Sequence, residues 1–423
     1  MNFVEKIKRN SLLRKLIAFL ANLRFGFPGR DLTIIGVTGT TGKTTTCFMI
    51  KSILESNGIK TGLISTAGFY IGDEIIYPKA HTPSTTPDPF FLYFLIKKMK
   101  IKGIKVVVME VSSFGLMYER VFGLNFSAAV LTNISYNHHL VIHGNMEQYV
   151  FSKLKLFQQL KKTAIAVLPK ENEYFNLFAK NTKAKIIKFG QDKSCDLWLK
   201  IEEITKEKNK VIIYHNNDSF SVDLPLPGVF NVFNALAAIG AVEKFSFTSE
   251  GIKKGLEKIR SIPGRLERII EGQPFSIIVD KANTPAAFCG IIDFIKILNV
   301  KRKIAVYGNF GESPREEREK LATIATDFFD LTIITEDDPQ ELSPQPSIDD
   351  FLNFVKKENI STEKYIAIAK RREAIRKAIK LAKKGDLIVI LGRGNEKIMD
   401  YGAKTVPFDD REITREILKE EGY

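Results

Sequence analysis

Residues 35–46 read IGVTGTTGKTTT, an apolar run that breaks into a glycine-rich turn and continues through Gly42, Lys43 and Thr44. Few folds accommodate that order. A strand must deliver the chain to the turn, and a helix must carry it away. The turn then points backbone N–H groups outward at a helix N-terminus, which favours a phosphate. A Cβ at the glycines would block the approach of that ligand. The common pattern is GxxxxGK[ST], and Val37 stands where its first glycine would be. The strand–turn–helix context survives this change, so the segment predicts a phosphate-binding loop built by Gly39, Thr40, Thr41, Gly42, Lys43, Thr44 and Thr45. Lys43 is placed to reach the β- and γ-phosphates and the Thr44 hydroxyl to ligate Mg²⁺. The alternative is a turn that is merely glycine-rich.

The rest of the chain repeats the same alternation. Apolar runs at 32–37, 105–109, 128–131, 275–279, 303–307, 331–335 and 387–391 are separated by amphipathic helical stretches. Strand–helix alternation predicts an α/β fold of mostly parallel sheets covered by helices. At 423 residues the chain exceeds a single core. Pro and Gly interrupt the pattern at 261–265 (SIPGR). The expected organisation is an N-terminal helical segment at 1–31, a central ATP-binding domain at 32–264 and a Rossmann-like α/β domain at 265–423.

Bulk properties narrow the function less. The three cysteines lie far apart with no CxxC pair, which excludes a zinc ribbon and a disulfide framework. Buried thiols in a reducing, cytoplasmic compartment are the expectation. The net charge of +14 suits anionic partners, but the lysines are spread along the chain. With no aromatic–basic stripe and no recognised module, nucleic acid is not an expected partner. Leu12, Leu13, Leu16, Ile17, Leu20 and Leu23 recur at helical spacing. They predict a basic amphipathic helix packed on the body of the protein, with attachment to a membrane surface as the lesser alternative.

Further motifs follow the phosphate loop in order: TTPD at 85–88, EVSS at 110–113, Thr132-Asn133 with Asn137-His138, His143-Gly144 with Met146-Glu147, and YVFSKLKLF at 149–157. GVFNVFNALAA at 228–238, PGRLER at 263–268, DKANTP at 280–285, GRGNE at 392–396 and DRE at 410–412 complete the set. Together they resemble the Mur ligase family, in its MurE-type branch, over roughly residues 33–415. The resemblance implies an ATP- and Mg²⁺-dependent acid–amino-acid ligase of peptidoglycan precursor synthesis. Its reaction forms an acyl phosphate and then an amide, on UDP-N-acetylmuramoyl-L-Ala-D-Glu. It also implies a monomer. With the phosphate loop near residue 36, the chain is expected to be without the family's usual UDP-binding N-terminal domain.

Roles are carried over residue by residue. The resemblance makes Glu110 and His138 Mg²⁺ ligands, and makes Lys153 a carbamylated lysine that acts as a further ligand. Carbamylation requires a neutral amine. Asn231 and Asn234 are implied near the nucleotide, although capping explains asparagines at a helix start equally well. Arg265 is implied at the γ-phosphate and Asp280 at the ribose. Thr85, Thr86, Ser112 and Arg120 are implied on the muramoyl-peptide side, and Glu396 in the amino-acid pocket. The family selects its amino acid with DNPR, and here the residues are Asp337, Asp338, Pro339 and Gln340. An arginine grips a carboxylate through two parallel hydrogen bonds, which the neutral Gln340 lacks. Lysine is therefore expected in preference to meso-diaminopimelate, with Asp337, Asp338 or Glu341 available to an ammonium, and ornithine or alanine as further alternatives. Lys281, Asn283 and Asn395 also depart from the family pattern. Competing readings are a folylpolyglutamate synthase-like enzyme, a pseudomurein peptide ligase, a non-catalytic nucleotide-binding module and a nucleic-acid-dependent P-loop ATPase.

Overall fold

A computed structural model describes residues 10–77, 85–135, 143–215, 218–311, 313–340, 343–402 and 404–423. The chain forms two compact units, Met1–Arg260 and Ser261–Tyr423.

The first unit is built on an eleven-stranded sheet. In chain order its strands are β1 (Thr33–Thr38), β2 (Thr61–Ser65), β3 (Gly68–Ile71), β4 (Glu74–Ile76), β5 (Val106–Glu110), β6 (Phe126–Leu131), β7 (Ile165–Pro169), β8 (Lys185–Gly190), β9 (Leu197–Ile204), β10 (Asn209–His215) and β11 (Asp218–Leu224). The spatial order is β11-β10-β9-β8-β7-β6-β1-β5-β2-β3-β4. From β9 to β2 the neighbours run parallel, and both outer wings are antiparallel. The central strands are buried on both faces, which is why they read as unbroken apolar runs rather than alternating ones.

Helices cover the sheet. The first unit contributes α1 (Ser11–Arg24), α2 (Lys43–Ser56), α3 (Pro89–Ile101), α4 (Ser113–Met117), α5 (Met146–Gln158), α6 (Phe175–Lys180), α7 (Val229–Val242) and α8 (Ser249–Glu257). Helix α7 is almost wholly buried, as its run of Ala, Leu, Ile and Val requires. The antiparallel wing β9–β11 departs from the predicted strand–helix alternation. Its strands alternate polar and apolar residues, and in the β9–β10 turn the Thr205 N–H donates to Lys208 O while the Lys208 N–H donates to Thr205 Oγ1.

Helix α1 packs on the body as expected, but by another face, and of its predicted apolar stripe Leu13 and Ile17 are half-buried. It meets the body through Ala18, Ala21 and Asn22, while Leu12, Leu16, Leu20 and Leu23 face solvent. Small residues allow close approach to the body, so the leucine stripe is left outside.

The second unit holds a six-stranded sheet in the order β12-β13-β17-β14-β15-β16. Its strands are β12 (Glu267–Ile269), β13 (Ser276–Asp280), β14 (Lys303–Asn309), β15 (Leu331–Glu336), β16 (Tyr365–Ala367) and β17 (Leu387–Leu391). All are parallel except β12. Helices α9 (Pro285–Lys296), α10 (Arg315–Phe328) and α11 (Gln345–Lys357) bury one face. Helices α12 (Arg371–Leu381) and α13 (Asp410–Glu420) bury the other. Residues 261–264, drawn into the central domain from sequence, pack within this second unit. Gly264 has φ 61°, and a Cβ there would fall 2.1 Å from the Asn395 nitrogen.

Candidate active site

Strand β1 delivers the chain to the phosphate loop, and its neighbours β5 and β6 end beside it. In α/β sheets this carboxyl end is where ligands bind. Two glycines shape the loop. Gly39 has φ 151°, and a Cβ on it would meet Thr132 Oγ1 at 1.9 Å. Gly42 has φ 79°, and a Cβ would meet Asn234 Oδ1 at 2.3 Å. The loop is held from behind. Thr132 Oγ1 donates to Thr41 O at 2.6 Å, the Thr41 N–H donates to Asn133 Oδ1 at 3.0 Å, and Thr40 Oγ1 meets Tyr149 OH at 3.1 Å. Asn234 donates to Asn231 Oδ1, and Asn231 donates to Pro227 O. The asparagine pair thus braces the start of α7 beneath Gly42.

Two lysines converge on one carbonyl. Lys43 Nζ donates to Gly39 O and Thr40 O, each at 2.9 Å, and Lys153 Nζ donates to Gly39 O at 2.9 Å. Lys153 is buried on α5, over the ring of Tyr149. Burial, reinforced by the charge of Lys43, holds its amine well below the usual lysine range.

At the start of α2, Thr44 Oγ1 lies 3.1 Å from Thr66 Oγ1. Thr66 donates from both its N–H and its hydroxyl to Glu110 Oε1, at 3.0 and 3.2 Å. Glu110 ends β5 and is buried. These are hard oxygen donors, the set Mg²⁺ prefers, so the residues present fit that ion.

Beside them, Thr86 Oγ1 donates to Glu110 O and accepts from the Ser112 N–H, while Arg120 Nη1 donates to Thr86 O at 2.8 Å. Ser112 caps α4 through the Gly115 N–H. His143 bridges Ser113 Oγ at 3.0 Å and Ser152 Oγ at 3.3 Å, with its ring stacked on Phe114. Burial, with the charge of Lys153, pushes the His143 imidazole down to about 4, so it is neutral at pH 7.

The second unit gathers its own polar cluster where β15 and β17 end. Arg393, fully buried, donates through Nη1 to Asp337 at 3.2 Å and Asp338 at 2.6 Å. Glu396 accepts from Lys281 at 2.5 Å and lies 3.8 Å from Arg393. The surrounding carboxylates hold Arg393 protonated. Burial pushes the Asp337 and Asp338 carboxyls upward against the pull of that guanidinium, and Glu396 adds repulsion. Arg371 clamps both strand ends. It donates to Glu336 O at 3.2 Å, to Leu391 O at 2.8 Å and to both oxygens of Asp410. Asp280 accepts from the N–H groups of Leu266 and Ala282, each at 2.7 Å. Gln340 takes a left-handed backbone, φ 56°, and its N–H bonds Asp400 O.

Comparison with known proteins decides the family. The Mur ligase middle domain matches residues 37–242, and the Mur ligase glutamate ligase domain matches 264–394. A UDP-N-acetylmuramoyl-L-alanyl-D-glutamate–2,6-diaminopimelate ligase of Clostridium tetani is 36% identical over 409 residues, covering 96% of this chain and 82% of the relative. The protein of the same name from Caldanaerobacter subterraneus is 36% identical with the same coverage. The chain belongs to the Mur ligase family. It is an ATP-dependent amide-bond ligase of peptidoglycan synthesis. Among solved structures, one titled as a diaminopimelate ligase of this kind superposes with TM-score 0.64 at 26% identity, covering 97% of this chain and 82% of that one. MurF of Thermotoga maritima, solved with ADP, shares the fold with TM-score 0.70 at 20% identity, covering 97% and 84%.

In this Mur ligase Gly39, Thr40, Thr41, Gly42, Lys43, Thr44, Asn231, Asn234, Glu110 and Lys153 surround one loop, as do Thr86, Ser112 and Arg120 beside Glu110. Thr45 is buried in the first turn of α2 and Thr85 is half-buried. Arg265, Asp280, Asp337, Asp338, Gln340 and Glu396 all lie in the second unit. His138 and Glu341 lie outside the described residues. Sequence reasoning missed Thr66, Tyr149 and His143 as site residues. Thr66 carries no motif of its own. Tyr149 and His143 stood inside quoted motifs, but nothing in the spacing assigned them partners. The preference for lysine finds no support among the relatives, which are named for 2,6-diaminopimelate.

Proposed function

We propose that this Mur ligase joins an amino acid to UDP-N-acetylmuramoyl-L-Ala-D-Glu at the expense of ATP. The observation that carries the proposal is the convergence of Lys43 and Lys153 on Gly39 O beside the Thr44–Thr66–Glu110 oxygens. Supporting it are relatives named for that reaction across nearly the whole chain.

In this reading the loop N–H groups and Lys43 hold the β- and γ-phosphates. A carboxylate oxygen of the dipeptide attacks the γ-phosphorus, the bond to ADP breaks, and an acyl phosphate forms. The amine of the incoming amino acid then attacks the acyl carbon. Inorganic phosphate leaves, and the amine proton is lost. Charge accumulates between two anions, so cations fixed in advance lower the barrier. Thr44 and Glu110 would hold Mg²⁺, with His138 and a carbamylated Lys153 as further ligands, and the ion would screen the phosphates. The depressed basicity of Lys153 favours that reading, because only a neutral amine adds CO₂. Arg265 and Asp280 are assigned to nucleotide, and Thr85, Thr86, Ser112 and Arg120 to the muramoyl peptide.

For the amino acid, the names of the relatives favour 2,6-diaminopimelate. A second reading, lysine, is favoured by one observation: the neutral Gln340 stands at the motif position where the family's DNPR has an arginine to grip the distal carboxylate.

The test measures phosphate release from ATP and Mg²⁺ with the UDP-linked dipeptide and single amino acids, with the product weighed by mass spectrometry. One amino acid should give a mass gain that Lys43→Ala abolishes. Nucleotide binding without any product would sink the proposal.

A further inference from the structure

Helix α1 carries a stripe that the described residues leave uncovered. Leu12 is 77% exposed, Leu16 50%, Phe19 44%, Leu20 46% and Leu23 51%. At about 100° per residue these five fall within an arc of roughly 100°, the width of a buried face. The opposite side, Ala18, Ala21 and Asn22, faces the protein. The neighbouring helix α3 adds exposed Phe90, Phe94 and Ile101, and the Phe94 ring meets Phe25 edge-on at 6.2 Å. An apolar patch of this kind marks a binding surface.

Charge says what covers it. On the helical wheel Lys15 and Arg24 lie about 90° to either side of the stripe. Arg30 follows, stacked on Phe27 at 4.1 Å. Residues 10–30 contain no Asp or Glu, while residues 1–9 add Lys6, Lys8 and Arg9 against Glu5. An apolar stripe with cations on both flanks fits headgroup phosphates above a hydrocarbon boundary. A protein partner would more often be met by mixed charge around an apolar centre. Among the described residues no helix is long and apolar enough to cross a membrane, so the helix would lie in the plane of the interface.

We propose that the exposed face of α1, with the outer aromatic residues of α3, is a reversible docking surface for an anionic lipid bilayer. The Leu–Phe stripe enters the headgroup boundary, and Lys15, Arg24 and Arg30 pair with lipid phosphates. Neither helix supplies a residue to the phosphate loop, so docking leaves the chemistry intact.

The experiment sediments the full chain with vesicles of phosphatidylcholine alone or mixed with phosphatidylglycerol. Binding is expected only to the mixed vesicles. Leu16→Glu with Phe19→Glu should weaken it by on the order of a hundredfold, the size of losing two buried apolar side chains. Lys15→Gln with Arg24→Gln should weaken it roughly thirtyfold. Leu16, Phe19 and Arg24 are exposed and Lys15 is half-buried, its Nζ 5.5 Å from the centre of the Phe122 ring; unchanged ATP turnover verifies that each variant is folded. In a separate variant, Leu20→Trp, indole emission should shift to the blue on vesicle addition. Binding that survives the apolar substitutions and vanishes with salt would mean adsorption by net charge, and would overturn the proposal. Absence of vesicle binding together with self-association through the same residues would assign the face to a protein partner, and would also overturn it.

Discussion

Lys43 and Lys153 direct their amines to the same acceptor, the carbonyl oxygen of Gly39, each at 2.9 Å. Two ammonium groups on one buried carbonyl repel each other, and Lys153 is the more deeply enclosed. Its folded pKa is lowered, so between that value and the ordinary lysine range the unfolded chain binds more protons. Stability therefore rises with pH across that window. Lys153→Met should raise the melting temperature at neutral pH by about 2–5 °C in CO₂-free buffer, and the gain should shrink as pH climbs toward the lysine range. The same substitution should cut ligase turnover by on the order of a hundredfold or more. Calorimetry across pH and phosphate-release assays check both. A stability loss at neutral pH would contradict the buried-amine account.

Thr66 ties the acidic strand end to the phosphate loop, since its hydroxyl lies within reach of both Thr44 and Glu110. Thr66→Val keeps the volume and removes the oxygen. The concentration of Mg²⁺ giving half-maximal rate should rise about tenfold or more, as expected when the partner that orients a metal ligand is lost. A Mg²⁺ titration at saturating ATP reads this directly.

His143 is neutral at pH 7 because burial and Lys153 push its imidazole down to about 4. Its folded pKa lies below the unfolded value, so its contribution is complete above about 6.5 and is lost as pH falls toward 4. Unfolding stability should drop by about 2–3 kcal/mol over that interval. His143→Gln should flatten this acid limb while keeping hydrogen bonds to Ser113 and Ser152. Urea titrations at several pH values show whether it does.

Arg371 and Asp410 form a fully buried pair that also holds the ends of β15 and β17. Asp410→Asn should cost about 3–5 kcal/mol, because it leaves the guanidinium inadequately paired. Arg371→Met with Asp410→Leu should recover much of the stability. It should still raise KM for the amino acid, since the strand ends lose their clamp. Chemical denaturation and amino-acid titration separate the two effects.

Gln340 offers a direct handle on selectivity. Gln340→Arg should raise kcat/KM for diaminopimelate relative to lysine by roughly tenfold or more, the value of a charged bidentate contact. Competition between the two amino acids with mass detection measures the ratio. An unchanged ratio would mean that this position does not face the amino acid.

The phosphate loop and the parallel strands around it were legible in the sequence, for local reasons. A doubly buried parallel strand must be continuously apolar, and a loop that admits phosphate must carry glycine, so composition and order alone predict IGVTGTTGKTTT. The ordered motifs extended that reading to Glu110, Lys153 and Asp280. What remained hidden is what depends on partners distant along the chain. Lys153 lies 114 residues from the carbonyl it bonds, and Thr66 lies 44 from Glu110. The outer antiparallel wing was missed because its alternating strands follow one another with no helix between them, so they fall outside the strand–helix pattern that marks the parallel core. The leucine stripe of α1 shows the limit most plainly. Helical periodicity established that the stripe exists, but only the packing of Ala18, Ala21 and Asn22 decided that it faces outward, because burial belongs to whichever face fits its neighbour.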